Sequence, residues 1–124
     1  MYLPEFEVSS AEQPGAYILL LRDGSISKSC DFDIGAAATT IMLSARQYGL
    51  DSCCLASFSA ANLQKLLRLE ESLVPEMLIA LGYGAQTNQT EPYDNTQRYR
   101  LDAQGNFIVP KYTAEEVLLF SDIE

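Results

Sequence analysis

Hydrophobic and polar positions divide the first two thirds of the chain into alternating strands and helices. The apolar run Ala16–Asp23 stops at an Asp-Gly pair, which predicts a buried strand followed by a turn. Apolar residues then recur at helical spacing, and Gly49 lies where a helix end favours a left-handed residue. Asp31 or Asp33 is expected to cap this helix at its start. The helical stripe consists of Ile34, Ala37, Ala38, Ile41, Met42, Ala45 and Tyr48.

A second strand, a short helix and a third strand follow this first helix. Residues 52–58 (SCCLASF) form a strand candidate, and Ser59 begins a short helix. Pro75 is expected to close the next loop, and residues 77–84 (MLIALGYG) form the third apolar strand. The order of these elements is by itself typical of an α/β fold with a three-layer core. The spacing leaves open whether the strands run parallel.

The last third of the chain is more polar. Residues 85–97 resemble a loop, and residues 98–110 predict two short strands around an Ala-Gln-Gly turn. Thr113 and Glu116 have the spacing of a capping box at the start of a helix. We therefore expect an irregular N-terminal arm at residues 1–15 and one domain over residues 16–124.

The amino-acid composition limits the kinds of molecule that the chain is expected to bind. The chain has 124 residues, with 17 acidic and 8 basic side chains and a formal charge of -9. This acidic balance argues against nucleic acid, whose binders neutralise phosphates with clustered Lys and Arg. The sequence has neither an apolar run of membrane-spanning length nor the basic start of a signal peptide. These features predict a cytoplasmic protein that binds no nucleic acid and no membrane.

The residue types exclude several kinds of chemistry. The chain has no histidine, so Ser-His and Cys-His nucleophiles are excluded and the commonest transition-metal ligand is absent. Its three cysteines include the adjacent pair Cys53 and Cys54, which fits neither a redox motif nor a zinc site. We interpret the cysteines as small packing groups and expect no metal site. The sequence identifies no catalytic residue, so any redox chemistry would be carried by a bound cofactor.

Three stretches, at residues 33–58, 75–84 and 99–118, carry four motifs that together resemble one enzyme family, the FMN-dependent nitroreductases. Residues 33–58 are similar to the family pattern D-x-G-x-A, an apolar helix, and then G-L-G-x-C-x-x-x-x-F. Residues 75–84 are similar to the family's next strand, and residues 99–118 to a tail Y-x-x-D-x-x-G-x-x-x-V-P-K-R. The family's N-terminal Arg-Ser-x-Arg segment has no counterpart in residues 1–15, so we expect a truncated, C-terminal portion of the fold. The matching positions of the first pattern are Asp33, Gly35, Ala37, Gly49, Leu50, Cys53 and Phe58.

The resemblance implies a fold, a cofactor and a set of binding residues. The implied fold is α+β, a mixed β-sheet flanked by helices in an intertwined homodimer that holds FMN at its interface. NAD(P)H would reduce the flavin, and a small aromatic substrate of the nitroaromatic or quinone type would take the electrons. By position, Cys54, Leu55, Ala56 and Ser57 would lie beside the flavin ring, and Lys111 would meet its phosphate.

The same resemblance leaves three functions open. The first is the FMN-dependent oxidoreductase, assembled as a homodimer through the helix at residues 34–48. The second is a flavin-free, degenerate dimer of the same fold that binds a ligand or a partner. The third is one half of a split enzyme, whose partner chain supplies the phosphate-binding arginines.

Overall fold

The computed structural model describes residues 13–95 and 98–118. The predicted N-terminal arm lies outside the described residues except for its last three positions. The chain forms two compact units that divide between Tyr83 and Gly84. None of the helices described is both long enough and apolar enough to cross a membrane.

The first unit is built on a three-stranded antiparallel sheet. Its strands are β1 (Ala16–Asp23), β2 (Asp51–Leu55) and β3 (Leu73–Gly82), in the spatial order β1-β3-β2. Both outer strands run antiparallel to β3. This arrangement confirms the α+β class rather than the parallel α/β alternative, since parallel neighbours define the latter.

Pro75 lies inside β3 and not in the loop before it, which corrects the sequence prediction. The register with β1 shifts here, because Leu20 faces Met77 whereas Leu21 faces Pro75. Glu76 is therefore the extra residue of a β-bulge. A proline cannot donate to a ladder, and a bulge is one of the few places in a central strand that accommodates it. Pro75 is buried there.

Helix α1 (Asp31–Gln47) packs on β2 and β3. The predicted apolar stripe faces the sheet, with Ala38 and Ala45 buried and Ile41 half-buried. Tyr48 does not belong to the buried stripe, since it follows the last helical residue and is 80% exposed. Gly49 has a φ of +73°, which confirms the predicted left-handed residue at the helix end.

The start of α1 differs from the prediction. Cys30 is the N-cap residue and makes no side-chain cap, whereas Asp31 and Asp33 lie within the first turn. The two carboxylates therefore do not cap the helix. At these positions they complement the positive end of the helix dipole.

Helix α2 (Ala60–Leu67) begins as predicted at Ser59, whose hydroxyl accepts a hydrogen bond from the backbone N–H of Asn62 at 3.3 Å. The helix packs against β3, and the side-chain amide of Gln64 donates to the backbone carbonyl of Leu73 at 2.9 Å. It ends at Arg68, which adopts a left-handed conformation (φ 52°) more usual for glycine.

The core of the first unit centres on the middle strand. Ile79 is the one large side chain that is fully buried among the described residues. The other buried apolar residues are Ala38 and Ala45 on α1 and Ala80, which follows Ile79 on β3. The packing therefore combines one large side chain with small ones from α1 and β3.

The second unit contains a smaller mixed sheet. Its strands are β4 (Gln89–Pro92), β5 (Arg100–Leu101) and β6 (Phe107–Lys111), in the order β4-β6-β5. Strand β4 is parallel to β6, and β5 is antiparallel to it. The predicted loop at residues 85–97 thus contains a strand, because pairing with the distant β6 supplies the hydrogen bonds that local sequence does not predict.

Two local motifs of the second unit confirm their predictions. The Asp102 carboxylate accepts hydrogen bonds from the backbone N–H groups of Gln104 (2.9 Å) and Asn106 (2.8 Å), which closes the turn between β5 and β6. Gly105 in this turn has a φ of +83°. Helix α3 (Ala114–Val117) begins with the complete capping box of Thr113 and Glu116.

Candidate functional site

Four consecutive residues, Cys54 to Ser57, form the strand-end segment of β2. The strand ends at Leu55, whose partner is Leu78, and not at residue 58 as predicted. Ala56 and Ser57 follow the last ladder pair and are exposed. Within the part of the chain that the structure describes, neither of their backbone N–H groups takes part in a hydrogen bond. The segment therefore presents two backbone donors beside small side chains.

The strand-end segment is held at both of its ends. On one side it continues the ladder between β2 and the central strand β3. On the other side the chain enters α2 through Ser59, whose hydroxyl caps that helix. Two ordered elements only a few residues apart restrict the backbone between them, so the two donors are presented in a defined direction.

The two adjacent cysteines face opposite sides of β2, as successive residues of a strand do. The Cys54 Sγ lies 3.2 Å from the Sδ of Met42 on α1. The Cys53 Sγ instead lies 3.7 Å from the Cys54 carbonyl oxygen. Cys54 is thus on the α1 side of the sheet, and both thiols are exposed.

Lys111 belongs to the second unit, whereas the strand-end segment belongs to the first. It is the last residue of β6, and its carbonyl accepts a hydrogen bond from the Tyr93 N–H at 3.0 Å. Beside it, the rings of Tyr93 and Tyr112 meet edge to face at a centroid distance of 5.0 Å. These contacts hold the backbone of Lys111, and its side chain is exposed.

An ion pair that the sequence did not indicate lies where β1 meets the loop before α1. Arg22 Nε donates to Glu76 at 2.6 Å, and Nη1 donates to the carbonyl of Ser27 at 3.0 Å. Partial burial raises the pKa of the nearby Cys30 thiol, and the Glu76 carboxylate raises it further. This cluster ties the loop to the bulge of β3. No local pattern could reveal it, because its two charges are 54 positions apart.

An open cleft of about 450 Å³ lies at the C-terminal end of α2. It contains none of the predicted site residues. Residues 13–95 and 98–118 also contain no group of three or more Cys, Asp or Glu side chains arranged to hold a metal ion. The cleft is lined by Gln64, Lys65, Arg68, Leu69 and Glu71.

A comparison with known protein families identifies the family of the region that contains the strand-end segment. The model of one family, described as the Nitroreductase family, matches residues 14–83, which is more than half of the 124 residues. The chain belongs to the nitroreductase family. No curated protein matches it. Membership supports a nitroreductase-like oxidoreductase, and members of this family generally use a flavin.

The nitroreductase match covers the first unit and ends with it at Tyr83. It includes α1, the strand-end segment and the whole of β3. The predicted similarity of residues 99–118 to a family tail lies outside the matched region, and so does Lys111. The role of Lys111 therefore stays a prediction, as does ring contact for Cys54 to Ser57.

Proposed function

We propose that this nitroreductase-family chain is an FMN-dependent NAD(P)H oxidoreductase whose acceptor is a small nitroaromatic or quinone. The observation that carries the proposal is the strand-end segment, which lies in the matched unit and exposes two backbone donors. FMN would supply hydride and electron transfer between NAD(P)H and the acceptor, and Cys54, Leu55, Ala56, Ser57 and Lys111 would hold it. The protein's part is to bind and orient the flavin and both substrates.

The strand-end segment fits the edge of a flat aromatic ring system. Flavin nitrogen and oxygen atoms along that edge accept hydrogen bonds, and the N–H groups of Ala56 and Ser57 are donors. The small side chains of both residues allow a ring to approach the backbone closely. Cys54 and Leu55 would flank the ring and supply apolar contact, as is usual in cofactor sites.

Lys111 is the proposed partner of the FMN phosphate. An ammonium group acts as a compact point charge, and charge-assisted hydrogen bonds to phosphate are among the stronger ones in proteins. The exposed position of Lys111 leaves its ammonium accessible to a ligand. Its loss should weaken FMN binding by about tenfold or more.

Visible spectroscopy tests the flavin proposal directly. We expect protein purified without added flavin, then incubated with FMN and passed through gel filtration, to co-elute with a flavin band. Ala56→Phe places a ring where the flavin edge would lie and should abolish that band. Ala61→Phe makes the same change at another exposed alanine, on α2, and should retain it. An absence of co-eluting flavin from the unaltered protein would refute the proposal.

A flavin-free dimer that binds a ligand or partner is the second candidate. One feature of the sequence favours it: Lys111 is the one basic residue that the family resemblance assigns to the phosphate. One ammonium balances only part of the charge of a phosphate dianion. A spectrum without flavin, together with an intact fold by circular dichroism, would select this alternative.

We also propose a homodimer through α1, which contains most of the predicted seam at residues 34–48. The sheet-facing side of α1 is already covered, so the seam is assigned to its outer side. There Phe32 and Leu43 are 97% and 66% exposed and lie about three helical turns apart. Apolar side chains left open on one stripe favour association.

Leu43→Glu tests this seam without altering the core. We expect it to convert a dimer into a monomer in sedimentation velocity experiments, because a carboxylate would be buried in the seam. Leu66→Glu is a matched control, since Leu66 is 76% exposed but lies on α2. Leu43→Glu that remains dimeric would place the seam elsewhere.

A further inference from the structure

Two sulfur atoms from different elements meet beside the sheet of the first unit. The Sγ of Cys54, on β2, and the Sδ of Met42, on α1, are 3.2 Å apart. We refer to them as the sulfur pair. We propose that the sulfur pair binds a soft monovalent metal ion, with Cu(I) and Ag(I) as the chemical class. The argument for the sulfur pair does not rest on FMN, although Cys54 is also a proposed flavin contact, and it extends the role of Cys54 beyond the packing expected from sequence.

The donor set selects this class of ion. Thiolate and thioether sulfur are soft ligands, which favour Cu(I) over the hard ions that prefer oxygen. Structural zinc needs four ligands, and the described residues contain no group of three or more Cys, Asp or Glu side chains suited to a metal. The chain has no histidine to complete such a set. A monovalent d¹⁰ ion, by contrast, is satisfied by two sulfur ligands.

The backbone around the sulfur pair is well supported. Cys54 pairs in the ladder with Ile79, the fully buried residue of the core. Met42 lies on the side of α1 that packs on this sheet. Two metal–sulfur bonds of about 2.3 Å each span at most about 4.6 Å. The flexible methionine side chain can therefore open the pair by the remaining distance without moving either element.

Binding of the metal ion to the sulfur pair requires neither an oxidant nor a reductant. The Cys54 thiol releases its proton to solvent and forms a sulfur–metal bond, so one proton leaves for each monovalent ion bound. The Met42 thioether donates a lone pair and keeps all its covalent bonds. The metal keeps its oxidation state. Cys54 is exposed, which gives the ion a path of entry.

Cys53 provides an internal control. It is the neighbouring residue and is also exposed, but its sulfur lies on the opposite side of β2, away from Met42. A site that depends on the pair must therefore distinguish two adjacent thiols. Since the chain has three cysteines, the double variant Cys30→Ser/Cys53→Ser leaves Cys54 as its single thiol.

Competition with a chromophoric Cu(I) chelator, bicinchoninate, tests the site under reducing conditions. We expect the double variant to bind one equivalent of Cu(I). Adding Cys54→Ser should abolish binding, and adding Met42→Leu, which conserves volume, should weaken it at least tenfold. Binding that is unchanged by Met42→Leu would overturn the proposal, because Cys54 would then act as an ordinary thiol. Retention of the site after Cys54→Ser would overturn it as well.

A second measurement needs no substitution in the pair. The chain has three methionines, and their methyl groups can be followed by NMR after ¹³C labelling. Addition of Ag(I) to the double variant should shift the Met42 methyl signal, since its sulfur becomes a ligand. An unshifted Met42 signal at saturating Ag(I) would refute the proposal even if Met42→Leu failed to fold.

Discussion

The two units of this chain are stabilised in different ways. The first builds its sheet around Ile79, which is fully buried, whereas none of the side chains described in the second is buried. The second instead relies on exposed polar contacts such as the bidentate pairing of Arg100 with Glu91. Exposed ion pairs contribute only about 0–1 kcal/mol. Full burial of a large apolar side chain therefore distinguishes the first unit, whereas the described side chains of the second are at most half-buried.

The family comparison follows the same division. The Nitroreductase family match ends at Tyr83, at the boundary between the units. The matched unit contains the buried core, the strand-end segment and the sulfur pair. The unmatched unit contains Lys111.

The largest difference in stability between the two units should appear when one isoleucine in each is truncated to alanine. Ile79→Ala should lower the free energy of unfolding by about 2–5 kcal/mol, because it leaves a cavity in a fully buried site. Ile108→Ala in β6 should cost clearly less, because its side chain is only partly covered. Urea denaturation followed by circular dichroism measures both. Equal losses would show that burial does not distinguish the units.

Replacing a glycine at a left-handed position with alanine should destabilise both units by similar amounts. An added Cβ meets nothing within 4 Å at Gly49, Gly105 or Gly35, so only backbone conformation differs among them. Gly49→Ala and Gly105→Ala should each destabilise by about 1–2 kcal/mol, because φ is positive at both. Gly35→Ala, inside α1, should stabilise by about 0.5–1 kcal/mol.

Thermal unfolding of these three alanine variants provides the measurement. Gly35→Ala serves as the control for adding a methyl group to an exposed site. A loss at Gly35 as large as the loss at Gly49 would contradict the backbone explanation. Such a result would point instead to an effect of the methyl group itself.

The smallest expected effect is a loss of stability at acidic pH. Hydrogen bonds from Asn106 hold the pKa of Asp102 below its ordinary value, and those from Ser25 do the same for Asp23 in the first unit. A depressed folded pKa contributes stability above the unfolded value of about 3.9. That contribution is lost as the pH falls through the lower folded pKa.

NMR titration of the turn amides checks this expectation. Below about pH 4, the amide signals of Gln104 and Asn106 should move first, while that of Ile79 should stay unchanged. Asp102→Asn should remove the transition, since an amide does not titrate in this range. A persistent acid transition in that variant would assign it to another group.

Much of the fold was predictable because its signals are local. The apolar run of β1, the stripe of α1 and the caps at Ser59 and Thr113 each depend on residues within one or two turns of one another. The misplaced elements depend on distant partners. Pro75 fits a strand only because β1 and β3 form a bulge there, and β4 exists only because β6 lies beside it.

The candidate site was only partly predictable, for the same reason. Sequence pattern placed the small residues Ala56 and Ser57 inside the strand candidate at residues 52–58, whereas the strand ends at Leu55. The contact between Cys54 and Met42 joins two elements whose packing no spacing rule specifies. The ion pair of Arg22 with Glu76 likewise requires the register of β1 against β3.

The central position of β3 has a consequence for synthesis on the ribosome. Both β1 and β2 pair only with β3, although both precede it in the chain. At about 5–20 residues per second, roughly 3 to 10 s pass between the translation of Asp23 and that of Leu73. During that interval the apolar strand β1 has no sheet partner among the described strands. The nascent chain therefore presents an apolar segment without its sheet partner until the middle strand has been synthesised.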